Sequence, residues 1–480
     1  MFMSDTDTEV LSHLIEKELT TGGTSGDVLT AVKKALLKVD GSFGLAVLFS
    51  SENRIVAARR GSPVILGIGK EEMFVASDAA ALLPYTNNVV YLEDNQLADI
   101  HANDYTVTTL HGGAAELAVH RLQVLRSETE RGGFKHFMQK EIMEQPEAIA
   151  NTLRGRITES AIKISILAKD VQRVILVACG SARNACLFGK QIIESLAGIS
   201  TSVEFASEFR YADPVLSSRT LVVAVSQSGE TADTLAAIRE ATTKGSQTLA
   251  IVNVVGSSIS REVDSGIYLH AGPEISVAST KAVSCMLTSL VLLALHLSPN
   301  QNARVITALH SLSSAVKETL ACAPVMQQVA ESIAHCTSAF FLGRGLHSAI
   351  AFEGAIKLKE ISYIHAEGFP AAEMKHGPIA LLQKGFPVVV LIPNDELYLK
   401  NLSSIQECKA RGAAIIAITT RVNPELNKLA EHVIIIPEII PELQPILSMI
   451  PLQLLAYYVA SAKGLDVDKP RNLAKSVTVE

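Results

Sequence analysis

The chain has 480 residues, 48% of them apolar, only 5% aromatic and none of them Trp. Its formal net charge is −7 with no basic block, which argues against a nucleic-acid surface and leaves anionic ligands to be held by local loops. The six cysteines, Cys179, Cys186, Cys285, Cys322, Cys336 and Cys408, form no Cys-x-x-Cys pair and read as reduced thiols of a cytoplasmic protein.

Met1-Phe2-Met3 leads straight into Ser4-Asp5-Thr6-Asp7, so no signal peptide is expected. The longest apolar stretch is read at 286–297, too short to cross a bilayer. A first helix is expected over Thr8 to Leu19, capped by Thr6 or Asp7, and a second from about Ser25 to Lys38, stopping at Asp40-Gly41. Short alternating strands follow at Phe43 to Ser50, Arg54 to Arg59, Val64 to Ile68 and Phe74 to Ser77, divided by turn residues, which reads as an antiparallel α+β layer. The charged stretch from Arg121 to Lys140 reads as a linker running into helices.

Beyond it one unit is used twice. The apolar strand Val174 to Gly180 is matched by Ala339 to Gly345, Leu221 to Ser226 by Val388 to Pro393, and Lys244 to Val252 by Arg411 to Thr419. Helical patterns lie between the strands, so two tandem doubly wound α/β subdomains are expected, with ligands at the carboxyl ends of their strands. The boundaries read as a partial first domain at 1–118, a linker with lead-in helices at 119–150, subdomains at 151–303 and 304–463, and a tail at 464–480.

Ser226-Gln227-Ser228-Gly229-Glu230-Thr231 follows one such strand and opens a helix. Hydroxyls, a glycine and a helix N-terminus together suit a phosphate monoester. The plainer alternative is a helix cap, since Ser and Thr are ordinary cap residues. The equivalent turn of the second copy, Pro393-Asn394-Asp395-Glu396, has no hydroxyl, so only one copy kept the loop.

Four long motifs then carry a resemblance. They are Ser226 to Thr234, Ser276-Val-Ala-Ser-Thr-Lys-Ala282, Glu353 to Glu367, and Lys375-His-Gly-Pro378, with the ending Pro470 to Glu480 alongside. In these the chain resembles the isomerising glutamine–fructose-6-phosphate aminotransferases over nearly its whole length. The resemblance implies two sugar isomerase (SIS) subdomains preceded by the C-terminal half of an N-terminal-nucleophile glutaminase domain. It implies fructose-6-phosphate and ammonia or glutamine as substrates, glucosamine-6-phosphate as product, a homodimer, and neither cofactor nor metal.

By the same resemblance Glu360 moves a proton between C1 and C2, with Lys357 one helical turn back. A plain surface ion pair of Glu360 with Lys357 or Lys359 is the alternative from the residues alone. His376 would open the sugar ring across a dimer interface, and Lys475 would form a Schiff base with the open ketose. Ser181, Ser226, Gln227, Ser228 and Thr231 would hold the phosphosugar, with Val277 and Ser279 at the sugar. Ala182 stands where the family carries a hydroxyl.

Asp7 matches an aspartate that holds the amino group of glutamine. The family's glutaminase needs a cysteine directly after the initiator methionine, where this chain has Phe2. The expectation is that this polypeptide uses free ammonia, and that its first domain shows exposed sheet edges. A deglycase or plain phosphosugar isomerase, and a non-catalytic sugar-phosphate sensor, are the other readings of the same subdomains.

Overall fold

The computed structural model describes residues 2–21, 27–115, 117–122, 130–300 and 302–478. The expected helix start at Ser25 and the charged residues 123–129 lie outside these. The chain divides into two compact units, Met1–Glu130 with Val477–Glu480, and Arg131–Ser476.

The first unit opens with α1 (Asp7–Thr21) and α2 (Val28–Leu36). Neither Thr6 nor Asp7 caps α1 as expected. Glu9 turns back instead, and its carboxylate accepts the N–H groups of Met3 and Ser4 at 2.6 Å each. An acid in the first turn suits the positive end of the helix.

Eight strands follow: β1 (Phe43–Phe49), β2 (Arg54–Arg60), β3 (Ile65–Ile68), β4 (Met73–Ala76), β5 (Asn88–Tyr91), β6 (Gln96–Ile100), β7 (Tyr105–Thr109) and β8 (His120–Arg121). They form two antiparallel sheets, β1-β2-β6-β7 and β4-β3-β5-β8. Strand alternation sorts the core. Val56, Ala58 and Leu97 face the helices, while Ala57 and Ala98 face the second sheet. β1 is an edge strand, and its Leu48 is 68% exposed.

The second unit begins with two helices, α3 (Phe137–Met143) and α4 (Gln145–Leu153). The first parallel sheet is built from β9 (Arg173–Ala178), α5 (Gly180–Ala197), β10 (Ser200–Phe205), α6 (Ala206–Phe209), β11 (Thr220–Ser226), α7 (Ala232–Thr243), β12 (Gln247–Val252), α8 (Ser258–Glu262) and β13 (Ser265–Tyr268). Helices α9 (Lys281–Leu297), α10 (Ala303–Thr319) and α11 (Ala323–Ile333) lead on to the second. That one comprises β14 (Ser338–Gly343), α12 (Leu346–Ser362), β15 (His365–Pro370), β16 (Pro387–Leu391), α13 (Tyr398–Lys409), β17 (Ala414–Thr419), α14 (Pro424–Leu429) and β18 (His432–Ile435), closed by α15 (Gln444–Ala462).

The strand orders are β10-β9-β11-β12-β13 and β15-β14-β16-β17-β18, all parallel. The order is the same in both, as the duplicated sequence requires. Each sheet is covered on both faces, which is why its strands are apolar throughout. Val174, Leu176 and Ala178 of β9, with Ala339 and Phe341 of β14, point into one core shared by the two sheets. Ile175 and Val177 point to an outer core under α7, and Phe340 and Leu342 to another beside α13.

The longest apolar element is α15, not the 286–297 stretch. Its length and composition would span a bilayer, but 83% of it is buried in the protein. Gly354 of α12 sits against it and against β14. A Cβ there would lie 2.5 Å from Leu452 Cδ1 and 2.9 Å from Phe341 Cδ1. Gly354→Ala should therefore overpack the shared core and cost about 1–3 kcal/mol. A lower urea midpoint would register that loss, and an unchanged midpoint would mean α12 and α15 can spread freely.

Candidate active site

In each parallel sheet the strand order reverses beside its first strand, and the crevice opens at the carboxyl ends of the strands flanking that reversal. In the first sheet those are β9, which runs into Cys179-Gly180-Ser181, and β11, which runs into Ser226.

The Ser226–Thr231 loop is folded on itself. Ser226 Oγ accepts the N–H of Gly229 at 3.1 Å and lies 3.1 Å from Thr231 Oγ1, while Ser228 Oγ accepts the N–H of Glu230 at 3.1 Å. Thr231 occupies the N-cap position of α7, yet its side chain makes no cap hydrogen bond. The expected alternative, a simple hydroxyl cap, is therefore not what the loop does. The first-turn N–H groups are left for a ligand's oxygens, and the helix dipole favours an anion there.

Gly229 has φ +68°, and a Cβ on it would lie 2.1 Å from Ser257 Oγ, so only glycine fits. The carbonyl of Gln227 accepts the N–H of Asn253, whose side chain in turn holds Ala271 and Gly272. The loop is thereby joined to the 271–280 segment. Ala182 packs against the shared core, where a methyl is better accommodated than an unpaired hydroxyl.

Helix α12 of the second copy carries Glu353, Lys357 and Glu360. Lys357 Nζ donates to Glu360 Oε2 at 2.6 Å and lies 3.7 Å from Glu353 Oε1. The Lys357 side chain is 1% exposed, so this is not the surface pair considered above. Burial works against its charge, but Glu360 and then Glu353 outweigh that and raise its pKa. Glu353 is itself buried, and its carboxyl is pushed up by burial. It accepts from Asn184 of α5 at 3.0 Å, and Ser181 pulls on it as well. The two copies thus meet through α5 and α12 at polar side chains.

Lys475 comes from the tail. Its Nζ donates to Glu274 Oε2 at 2.9 Å and to the carbonyl of Ser276 at 2.8 Å. Glu274 also accepts from Ser279 Oγ and from the N–H groups of Thr280 and Ala282. Burial alone would raise its pKa, but the Lys475 ammonium and these donors hold it down to about 2. Val277 donates its N–H to the carbonyl of Asp468, tying the 277–279 segment to the start of the tail.

Ser181, Ser226, Gln227, Ser228, Thr231, Val277, Ser279, Lys357, Glu360 and Lys475 therefore all belong to the second unit, on strand ends, α12 and the tail. His376 ends a short 3-10 turn (Ala371–His376) and is exposed, with no hydrogen-bond or ion-pair partner among the described residues. Asp7 begins α1 and is also exposed.

The SIS domain family matches residues 166–296 and 332–463, so each parallel sheet is a SIS domain. Isomerising glutamine–fructose-6-phosphate aminotransferases of Thermus thermophilus and Aquifex aeolicus are each 46% identical to the chain, matching 100% of it and 80% of themselves. The C-terminal domain of glucosamine-fructose-6-phosphate aminotransferase from Francisella tularensis is 40% identical with a TM-score of 0.67, covering 71% of this chain and 100% of that one. A glucosamine-6-phosphate deaminase from Thermotoga maritima shares the fold, at 24% identity and a TM-score of 0.60, over 71% of this chain and 99% of its own. The chain belongs to the isomerising glutamine–fructose-6-phosphate aminotransferase family.

Four site residues were not foreseen: Glu141, Asn184, Glu274 and Glu353. Glu353 had a signal, since Glu353, Lys357 and Glu360 are charges at helical spacing on an otherwise apolar helix. Glu274 had none, because it stands in irregular chain between β13 and α9.

Glu141, from α3, takes the N–H of Ile275 at 2.5 Å and of Ser276 at 3.1 Å, and the hydroxyl of Ser276. Burial, and then the charge of Glu274, push its carboxyl up to about 7 from an ordinary 4.5. A carboxyl raised on folding stabilises the protein below its unfolded pKa, and that contribution fades as pH climbs through the folded value. Wild-type stability should therefore fall between pH 4.5 and pH 7 relative to Glu141→Gln, which has nothing to titrate there. Urea unfolding of both proteins across that range is the measurement, and parallel profiles would refute it.

Proposed function

We propose that this chain makes glucosamine-6-phosphate from fructose-6-phosphate, with ammonia as the nitrogen source available to the 480-residue polypeptide. The observation that carries this reading is Lys475, drawn in from the tail and bonded to Glu274 beside Ser279, in a unit that also holds the hydroxyl loop and the Lys357–Glu360 pair. Family membership favours the aminotransferase over the deglycase, plain isomerase and sensor readings.

The phosphate is held by the Ser226–Thr231 loop at the N-terminus of α7, with Ser181 arriving from the neighbouring strand end. Val277 and Ser279 flank the sugar. The amine of Lys475, once deprotonated, attacks the C2 ketone and loses water to form an imine, whose nitrogen takes up a proton. Glu274 favours that cationic iminium, because a buried carboxylate needs a positive partner. The iminium makes the C1 protons more acidic.

Glu360 carries a proton between C1 and C2, and Lys357 fixes its orientation. Before that proton shift, ammonia adds to the C2 iminium and expels the Lys475 amine, so that the shift leaves ammonia's nitrogen as the amine on C2 and the carbonyl on C1. His376, on an exposed turn, suits delivery to the site of a second copy in a homodimer, where it would open the ring. Cytoplasmic placement, Asp7 as a remnant of a glutamine site, and the domain boundaries at 118, 150, 303 and 463 are part of the same reading.

Purified protein given fructose-6-phosphate and ammonium should yield glucosamine-6-phosphate, and with glutamine alone it should release no glutamate. Its first cysteine is Cys179. Glutamate release would sink the ammonia-only claim, and no product with ammonia would sink the reading. Glu360→Gln should lower kcat by about 10²- to 10⁴-fold with little change in KM, as for loss of an acid–base group. A KM effect alone would remove Glu360 from that role.

A further inference from the structure

The helix ahead of the first SIS domain supplies a residue to the lysine chemistry. Glu141 lies on α3, before residue 166 where the first SIS match begins. It is 2% exposed. Its three donors, the N–H groups of Ile275 and Ser276 and the Ser276 hydroxyl, come from two consecutive residues.

One of those residues, Ser276, also holds Lys475, and the residue before them, Glu274, is its other acceptor. The ammonium has two acceptors, the Glu274 carboxylate and the Ser276 carbonyl. One belongs to the residue just before Glu141's donors, the other to one of those residues. A buried carboxylate beside another buried carboxylate is costly unless its donors repay it. Here the donors are spent on fixing the short segment that aims at Lys475.

Asp468 closes the arrangement. Its carboxylate accepts the N–H groups of Phe137 and Met138 at the start of α3, both at 2.9 Å, while its carbonyl takes the N–H of Val277 at 3.0 Å. Helix, 277–279 segment and tail are knitted into a triangle, with Glu141 on one side and Asp468 on the other two.

We propose that Glu141 is a positioning residue for the Lys475 imine, acting through the 274–279 segment. The proposal rests on the imine role given to Lys475 above. Glu141 does not touch the sugar. It sets where Glu274 and the Ser276 carbonyl stand, and so where Nζ waits.

The test uses the full 480-residue protein with fructose-6-phosphate and borohydride, which reduces an imine to a stable amine that peptide mass mapping locates. Glu141→Ala should cut the rate of labelling at Lys475, and kcat with ammonia, by on the order of a hundredfold, the effect of a misplacement of about 1 Å. KM for fructose-6-phosphate should move less than roughly threefold, because the phosphate loop is on a different strand end. Glu141→Gln should recover most of the loss, since its amide oxygen can still accept both N–H groups.

Labelling of Glu141→Ala at the wild-type rate overturns the proposal, as does a change in KM with kcat intact. If Glu141→Ala does not fold, Ser276→Ala takes its place. It removes one charge-assisted hydrogen bond and should slow labelling by about tenfold; an unchanged rate there overturns the proposal equally. Wild-type protein with no label at Lys475 overturns the imine reading and this inference together, whereas labelling at equal rates in wild type and Glu141→Ala removes the inference alone.

Discussion

Four lysines of the second unit are withdrawn from water, and each has a carboxylate beside it: Lys140 and Lys281 share Glu144, and Lys357 and Lys475 belong to the candidate site. Lys357 is 1% exposed and Lys475 17%. An ammonium in a dry interior is held only by opposite charge and by acceptors for its protons. Lys357 is flanked by Glu353 and Glu360, and Lys475 meets Glu274 and a carbonyl. Those carboxylates are costly to bury in their turn, and further donors satisfy them: Asn184 for Glu353, and Ser279 with two backbone N–H groups for Glu274. The polar groups of the candidate site are linked by the burial of Lys357 and Lys475.

The duplication explains where these groups come from. Both copies have the same strand order, but their strand ends have diverged. The first copy ends β11 in hydroxyls. The second ends β16 in Pro393-Asn394-Asp395-Glu396, where Asp395 is occupied in accepting the N–H of Leu397. The first copy's helix α5 carries Asn184 and begins beside Ser181, while its counterpart α12 carries the buried charges. One copy carries the hydroxyl loop and the other the buried charges, and the bond between Asn184 and Glu353 joins the two. A single copy would have the loop without the charges, or the charges without the loop.

Much of this was legible from the sequence. The repeat, the parallel strands and the hydroxyl loop all announce themselves by periodicity and composition, because a strand covered on both faces has to be apolar and a tight turn has to contain glycine. Strands β5 to β8 were not foreseen, since they are short and sit among turn residues. Glu141 and Glu274 were illegible for a different reason. Neither has a periodic neighbour that explains it, and each acquires meaning only through a partner about 130 or more residues away. The cap of α1 was misassigned because Thr6 and Asp7 are good cap residues, whereas the carboxylate at this end is Glu9, which ties back the preceding residues Met3 and Ser4. His376 and Asp7 show the converse, being conspicuous as motif residues but lying exposed.

The shared core has a consequence for how the chain is made. The inner face of the first parallel sheet packs into the same apolar cluster as α12 and α15. Helix α15 closes the second SIS match, which runs to residue 463, and leaves the ribosome after every strand of both parallel sheets. Until it emerges, α12 and α11, the helices it packs against most, lack part of their cover. A nascent chain in that state exposes the kind of surface on which aggregation starts. Although the repeat suggests two separate domains, the shared cluster and the α5–α12 contact join the first half to the second. A ribosome stalled before α15 would therefore release a sticky fragment, not a finished SIS domain.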